Sequence, residues 1–153
     1  MSNSASPQTK KLFTVEEANR TLPLVRVIVR DLVELSTQVE DRRARTEHLM
    51  SGRDLSAGDP YDEELAVVEE QLRRDAERIE EFTSELRQLG IEPRCSSEGL
   101  VDFPTLIDDE PAYLCWKLEE EEILHWHDAG RGGRQRLTAD IVAEPDSSED
   151  FPQ

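Results

Sequence analysis

Two short runs of aromatic and aliphatic residues decide the fold, YLCWK at residues 113–117 and ILHWH at residues 123–127. Each run is about five residues long, which suits a β-strand better than a helix. The linking residues, LEEEE, are few enough for the two strands to pair antiparallel as a hairpin. The two runs hold both tryptophans, two of the three histidines and one of the two cysteines. The residues that can do chemistry are therefore concentrated in this hairpin.

A hairpin centred on Glu120 determines which side chains share a face. This register places Cys115 opposite His125 and Tyr113 opposite His127. Because side chains alternate between the two faces of a strand, one face becomes apolar and the other ionisable. The apolar face carries Leu114, Trp116, Leu124 and Trp126, and the ionisable face carries Tyr113, Cys115, Lys117, His125 and His127. We expect the first face to pack into the core and the second to present thiol, imidazole, phenol and amine groups.

The hairpin is preceded by a long segment in which apolar residues recur every three or four positions, close to a heptad seam. These residues are Leu22, Val25, Ile28, Leu32, Leu35 and Val39. Thr14 is the expected N-cap, and Glu17 completes a capping box. Pro23 predicts an interruption, with a short helix ending at Thr21 or Leu22 and a long helix following it.

A second helical segment follows a loop predicted at residues 51–60. Its apolar positions are Leu65, Val68, Leu72, Ile79, Phe82, Leu86 and Leu89. Asp75 falls where another apolar residue is expected, and Gly90 ends the helix. The two segments should fold back as an antiparallel hairpin about 40 Å long. Since a lone pair of helices leaves half of each stripe exposed, we expect the sheet and a second subunit to cover it.

The remaining segments predict a small sheet and two tails. GLVDFP at residues 99–104 predicts a strand ended by Pro104, residues 91–99 a linker, residues 108–111 a turn and residues 128–136 a flexible glycine-rich segment. We therefore predict an α+β fold, in which a long, coiled-coil-like antiparallel α-helical hairpin accompanies a small antiparallel β-sheet of about three strands. The domain should span residues 12–137, between a disordered tail at residues 1–11 and an acidic disordered tail at residues 138–153.

Composition limits the function. The formal net charge of −17 argues against binding to nucleic acid or to anionic membranes, because both need a basic surface. No apolar run is long enough to span a bilayer, and residues 1–7 lack the apolar segment of a secretory signal. Two cysteines, Cys95 and Cys115, do not make a disulfide framework. These observations predict a cytoplasmic protein.

Several segments occur together in an order that is known from one family. They are LFTVEEAN at 12–19, LPLV at 22–25, GLVDFP at 99–104, YLCWKL at 113–118, HWH at 125–127 and GGRQ at 132–135. Over roughly residues 12–137 the chain resembles the DUF2203 family of uncharacterised prokaryotic proteins. It departs from the family at Glu119–Glu122, where members tend to have a Gly-Glu-Pro-Glu type of turn. The resemblance implies no catalytic residues, because the family has no assigned function.

The ionisable face of the hairpin suggests a metal site. His125 and His127 are two residues apart on one strand, so both imidazoles leave the same face. Cys115 is the cross-strand neighbour of His125, and Asp102 or Asp128 could complete a four-coordinate set. Cysteine, histidine and carboxylate ligands together suit zinc or iron. The alternative is that Cys115 is a small buried hydrophobe and that the histidines are hydrogen-bonded surface or interface residues.

The segment GRGGRQR at residues 130–136 is the only basic cluster in an acidic chain. Glycine N–H groups and arginine side chains can hold a carboxylate or a phosphate. Arg131 and Arg134, with Tyr113 and Lys117 on the neighbouring strand, are therefore candidate anion ligands. The alternative is a loop whose arginines pair with the chain's own carboxylates. A further possibility is covalent catalysis, with Cys115 as nucleophile and His125 as its base.

These patterns favour a non-enzymatic, self-associating interaction module, in which the acidic helical hairpin docks a second copy or another protein. One alternative is a zinc- or iron-binding protein, or a metal-dependent enzyme, that uses the Cys/His face of the hairpin. The other is a binder of small anionic ligands at the glycine–arginine loop.

Overall fold

The computed structural model describes residues 11–51, 61–129 and 133–138. It contains helices α1 (Val15–Ser51) and α2 (Tyr61–Gln88). Five strands follow, β1 (Glu92–Cys95), β2 (Leu100–Ile107), β3 (Glu110–Lys117), β4 (His125–Asp128) and β5 (Gln135–Arg136), and they form one antiparallel sheet in chain order. The predicted α+β fold is confirmed, with five strands instead of three. Most of the loop and both tails predicted from the sequence lie outside the described residues.

The N-terminus of α1 has the predicted capping box. The Thr14 N–H donates to Glu17 Oε1 at 3.1 Å, and the Glu17 N–H donates to Thr14 Oγ1 at 3.0 Å. The two bonds satisfy backbone donors that have no partner within the helix. Phe13 and Ala18, which flank the cap, are both buried in the core. Helix α1 therefore starts where the sequence predicts.

The predicted break at Pro23 is wrong, because α1 runs through it without interruption. A proline inside a helix removes a single hydrogen bond, here the one to the carbonyl of Asn19. The buried stripe continues on both sides of the proline, through Ala18, Leu22 and Val25. Burial of each large apolar side chain contributes about 1.5–3 kcal/mol, which offsets a proline penalty of about 3 kcal/mol.

The core lies between α1 and one face of the sheet. All six residues of the predicted seam in α1 are buried. The first four of them share one core cluster with residues of the sheet, namely Val101, Phe103, Ile107, Ala112, Leu114 and Trp116. Leu114 and Trp116 are fully buried and Trp126 packs against the core cluster, so these three residues of the predicted apolar face lie on the core side. The fourth, Leu124, is outside the cluster, and its neighbour Ile123 is buried in it instead.

Helix α2 ends in a Schellman motif centred on Gly90. This residue has φ = 90°, a left-handed conformation that favours glycine. The Gly90 N–H donates to the Arg87 carbonyl, and the Ile91 N–H donates to the Leu86 carbonyl, both at 2.9 Å. Leu86 and Ile91 are buried in the core cluster and complete the motif. The predicted end of the helix is confirmed.

Two predictions about β2 and the segment before it are wrong. The predicted linker at residues 91–99 contains β1, which pairs with the start of β2. Strand β2 also continues through Pro104, which was expected to end it. Pairing with β1 stops at Asp102, so Pro104 lies where that side of β2 is an edge and its missing N–H costs no ladder bond. Its carbonyl accepts the Phe13 N–H at 2.8 Å instead.

Three further predictions concern the turn after β2, the glycine-rich segment and membrane spans. Asp108 and Asp109 form a two-residue hairpin turn between β2 and β3, with φ of 55° and 65°. Strand β5 lies inside the segment that was predicted to be a flexible glycine-rich stretch. Within the described residues, neither helix contains a stretch apolar enough to cross a bilayer.

Candidate metal centre

The register of the hairpin is the one predicted from the sequence. Tyr113 pairs with His127 and Cys115 pairs with His125. On the other side of β3, Cys115 pairs with Asp102 of β2. A row of ionisable side chains therefore crosses three strands on the sheet face opposite the core, because the core-facing neighbours alternate with them.

The turn that sets this register is anchored by α1. The Arg26 guanidinium donates to the carbonyls of Glu120 and of the next residue, both at 3.3 Å. The Trp116 indole N–H donates to the same Glu120 carbonyl at 2.9 Å. Asn19 Oδ1 accepts the Ile123 N–H at 2.7 Å. A turn of four glutamates, with no glycine or asparagine, is thus held by tertiary contacts.

Three side chains of the ionisable face converge. Asp102, Cys115 and His127 each offer one ligand atom, and these atoms lie within 4.8 Å of one another. The three residues are 6%, 0% and 5% exposed. His127 Nε2 lies 3.1 Å from Asp102 Oδ1. One carboxylate, one thiol and one imidazole thus form a buried cluster, which we call the Asp–Cys–His centre.

The imidazole of His127 is oriented from two sides. Its Nδ1 lies 3.0 Å from the Asp128 carbonyl, which can only accept, so Nδ1 carries the donated proton. The Tyr113 ring stacks on the imidazole at a centroid distance of 5.3 Å. In the neutral ring, this tautomer leaves the Nε2 lone pair directed at the centre. A backbone carbonyl on the distal nitrogen is a common way to orient a metal-binding histidine.

A guanidinium group lies against the centre. Arg94 Nη1 is 2.7 Å from His127 Nε2, and it donates to the Nε2 lone pair when the ring is neutral with its proton on Nδ1. The same nitrogen is 3.9 Å from Asp102 Oδ2, so its positive charge balances this buried carboxylate. Arg94 belongs to β1, at a point where the pairing register with β2 shifts. Its side chain is 43% exposed, so the guanidinium can turn towards solvent.

The thiol of Cys115 is held in its neutral form. Burial raises its pKa, and the carboxylate of Asp102 raises it further, against the opposing charges of Arg134 and Arg94. A thiol with a raised pKa is a weak nucleophile, so the environment does not favour the covalent alternative. A metal ion would have to displace the thiol proton, as it does at other cysteine sites.

His125 lies outside the Asp–Cys–His centre and contacts a different pair of residues. Its Nδ1 is 3.1 Å from Arg134 Nη2 and 3.5 Å from Glu120 Oε2. Arg134 Nη2 in turn donates to both carboxylate oxygens of Glu120, at 2.9 and 2.7 Å. Burial and the charge of Arg134 lower the pKa of His125. This second cluster lies beside the centre on the same face.

The other candidates from the sequence lie in less central places. Asp128 contributes its backbone carbonyl, and its side chain is exposed. Lys117 is exposed, and its backbone N–H donates to Glu120. Arg131 lies outside the described residues.

Two residues of the site were missed in the sequence. Arg94 stands in a segment without a strand pattern, and its contact with His127 depends on the register shift in β1. Glu120 was predicted only as the centre of the hairpin turn, and the sequence carries no signal that its side chain pairs with Arg134. Both contacts are products of tertiary structure.

Comparison with known proteins gives one match. The model of the DUF2203 family, described as "Uncharacterized conserved protein", matches residues 11–138. This range includes every residue of the centre and of the cluster beside it. Searches of the curated proteins and of the solved structures gave no match.

Proposed function

Since this chain belongs to the DUF2203 family, whose description assigns no activity, we propose a function from the site itself: the protein binds a divalent metal ion, zinc or ferrous iron. The ligands are Asp102, Cys115 and His127. The observation that carries the proposal is the convergence of three ligand atoms within 4.8 Å in a buried cluster. Three protein ligands leave a fourth position open, as in zinc sites that bind a substrate or water.

The donor set fits the metal. Thiolate sulfur, imidazole nitrogen and carboxylate oxygen are all zinc ligands, at about 2.0–2.3 Å from the ion. Tetrahedral ligand atoms at these distances are about 3.5 Å apart, so the cluster needs to contract by about 1 Å. Small side-chain rotations suffice, because the three residues lie on adjacent strands of one sheet. Burial of a carboxylate and a thiolate also costs free energy unless a cation compensates it.

Metal entry requires Arg94 to leave. Its guanidinium holds the lone pair of His127 that the metal would use. Because the Arg94 side chain is partly exposed, it can move into solvent while the buried ligands stay in place. The metal ion would then compensate the negative charge of the Asp102 carboxylate in place of Arg94. Both cysteines are free thiols, which fits the reducing cytoplasm, where a thiolate ligand survives.

The experiment is elemental analysis of untagged protein, together with titration of metal-free protein with Co²⁺. A thiolate ligand gives an intense charge-transfer band with Co²⁺. We expect about one metal per chain, lost in His127→Ala and in Cys115→Ala. His125→Ala is the matched control, because His125 is on the same strand but outside the centre, and it should keep the metal. Equal loss in the control, or no metal in the wild type, would overturn the proposal.

A second proposal concerns assembly: the protein self-associates through the distal part of its helical hairpin. In the described part of the chain, no side chain of α1 beyond Val39 is buried. In α2, Asp75 is the only described buried residue before Thr83. The stripe nonetheless continues through Leu65, Val68 and Leu72, which are only partly buried, and two helices cannot cover both of their own stripes.

The occupant that we propose for this stripe is a second copy of the hairpin. Two such hairpins make a four-helix bundle, in which each stripe faces another. Light scattering on the eluting protein should therefore give twice the chain mass. Leu72→Glu should convert it to the monomer, whereas Val27→Glu, at a residue 52% exposed elsewhere on α1, should not. A wild-type monomer at all concentrations would rule out this assembly.

A further inference from the structure

We infer that the metal centre takes an oxyanion, a carboxylate or a phosphate, which bridges the metal and Arg94. This inference rests on the metal-binding function proposed above and names the ligand class of the same site. It assigns the anion to Arg94, from a different strand than the Gly/Arg segment that the sequence suggested.

The charges around the site carry the argument. Without a metal, the Arg94 guanidinium compensates Asp102 and donates to His127. A divalent ion would be neutralised by two ligands, the carboxylate of Asp102 and the thiolate of Cys115. The second arginine, Arg134, is already compensated, because it donates to both oxygens of Glu120. Displacement by the metal therefore leaves the charge of Arg94 without a counter-ion at the rim of the centre.

In the described part of the chain, no second carboxylate forms an ion pair with Arg94. Among the residues that the structure describes, its one ion pair is the contact of 3.9 Å with Asp102. The one acid of β1, Glu92, lies 3.3 Å from Arg87 and is paired there. The released guanidinium would thus face either solvent or an incoming anion.

The geometry would place two positively charged groups, the metal ion and the Arg94 guanidinium, side by side. Arg94 starts at hydrogen-bond distance from His127 Nε2, the atom that would bind the metal. A guanidinium turned outward from this point would remain within reach of a ligand on a metal bound at His127 Nε2. One oxygen of a carboxylate or phosphate can then bind the metal while the others accept N–H groups from the planar fork. The Tyr113 ring stacks on the His127 imidazole and holds it in this orientation.

A consequence is that the metal creates the anion site. In the metal-free protein, Arg94 is engaged and no metal is present, so an oxyanion has neither partner. In the metal-loaded protein both partners are available at once. Binding of the anion is therefore conditional on the metal.

The test uses the full chain and inorganic phosphate, with acetate as a second probe. Metal-free and cobalt-loaded protein are compared after unbound metal has been removed, and metal content is measured before any anion is added. Thermal unfolding and the cobalt absorption spectrum then report on binding. We expect both probes to raise the melting temperature and to change the spectrum of the loaded protein, with no effect on the metal-free protein.

Variants assign the effect to Arg94. Arg94→Ala should bind metal at least as well as the wild type but should bind phosphate about tenfold or more weakly, because it loses a charge-assisted contact. Arg94→Lys should recover part of the affinity. Arg87→Ala is the matched control, since Arg87 is a comparably exposed arginine paired with Glu92 beside β1.

The outcomes separate the two proposals. A wild type that takes up no metal overturns both. A wild type that takes up metal but responds to neither anion overturns the anion site alone. Anion binding that is unchanged in Arg94→Ala, or equal in metal-free protein, also overturns it.

Discussion

His127 Nε2 lies 3.1 Å from Asp102 Oδ1, although the two residues belong to β4 and β2 and the whole of β3 runs between these strands. The contact passes over the small side chain of Cys115, which pairs with Asp102 on one side. A bulky residue at position 115 would fill the space in which the two side chains meet. The contact therefore requires a small side chain at position 115, and the cysteine there adds its thiol to the other two groups.

The metal centre predicts that chelation destabilises the protein. A ligand that binds only the folded state raises the free energy of unfolding by about 4 kcal/mol when its concentration is about 1,000 times its Kd. Removal of the metal with a chelator should lower the melting temperature accordingly. Differential scanning calorimetry measures this, and His127→Ala serves as the reference. A chelator effect of the same size in this variant would place the metal elsewhere.

Arg94 predicts a competition with the metal. Arg94→Ala removes the guanidinium that is hydrogen-bonded to His127 Nε2. The affinity for the metal should therefore rise, by up to about tenfold for the loss of one competing charge-assisted hydrogen bond. The metal-free variant should be less stable, by about 1 kcal/mol, because a buried carboxylate loses its nearest cation. A chromophoric chelator measures the affinity and chemical denaturation the stability. Weaker metal binding in the variant would mean that Arg94 supports the centre instead of competing for it.

Gly99 is required by the turn that connects β1 to β2. Its φ is 74°, and an added Cβ would lie 2.8 Å from the Leu118 Cβ and 3.1 Å from Val33 Cγ2. Gly99→Ala should therefore reduce the free energy of unfolding by about 2 kcal/mol, through left-handed strain and overpacking. Gly133→Ala is the control, because a Cβ there meets no atom within 4 Å. Urea denaturation that gives equal losses for the two variants would refute this account of the turn.

Asp75 is the buried acid in the seam of α2. It accepts hydrogen bonds from Arg42 of α1 and from Gln71, and its side chain is 5% exposed. Asp75→Leu alone leaves Arg42 without its partner and should cost about 1–3 kcal/mol. The double variant Arg42→Leu/Asp75→Leu should regain wild-type stability or exceed it, because an apolar pair avoids the desolvation of two charges.

Urea denaturation of both variants measures this coupling. The double variant should also populate more than one assembly, as seen by light scattering, if the polar pair sets the register of the helices. A double variant as unstable as the single one would show that the ion pair itself stabilises the hairpin.

The sequence predicted the long elements well, since their patterns repeat. Six seam positions identified α1, and Gly90 marked the end of α2 by a conformation that few other residues adopt. The hairpin register was predicted by centring the loop on Glu120. Alternation on both strands excluded only a slip by one residue, which would turn Leu114 and Trp116 away from the core. The apolar pattern therefore specified the ionisable face as well.

The short elements could not be predicted. Strand β1 has the sequence EPRC and β5 the sequence QR, and neither carries a strand pattern. They are strands because β2 and β4 offer free edges to them. Arg94 reaches the centre only through the pairing of β1 with β2. The cation that compensates Asp102 could therefore not be predicted from the sequence. The two prolines misled for different reasons. Burial on both sides of Pro23 outweighs the one helix bond that it removes, whereas Pro104 lies at an edge of β2 where it removes no ladder bond.

The most direct test of the account is the metal content of purified, untagged protein, measured by elemental analysis for the wild type, His127→Ala and His125→Ala. The account predicts about one zinc or iron per chain in the wild type and in His125→Ala, and none in His127→Ala. A wild type without metal, also after incubation with Zn²⁺ and Fe²⁺, would contradict it, and so would metal that stays bound when His127 is removed.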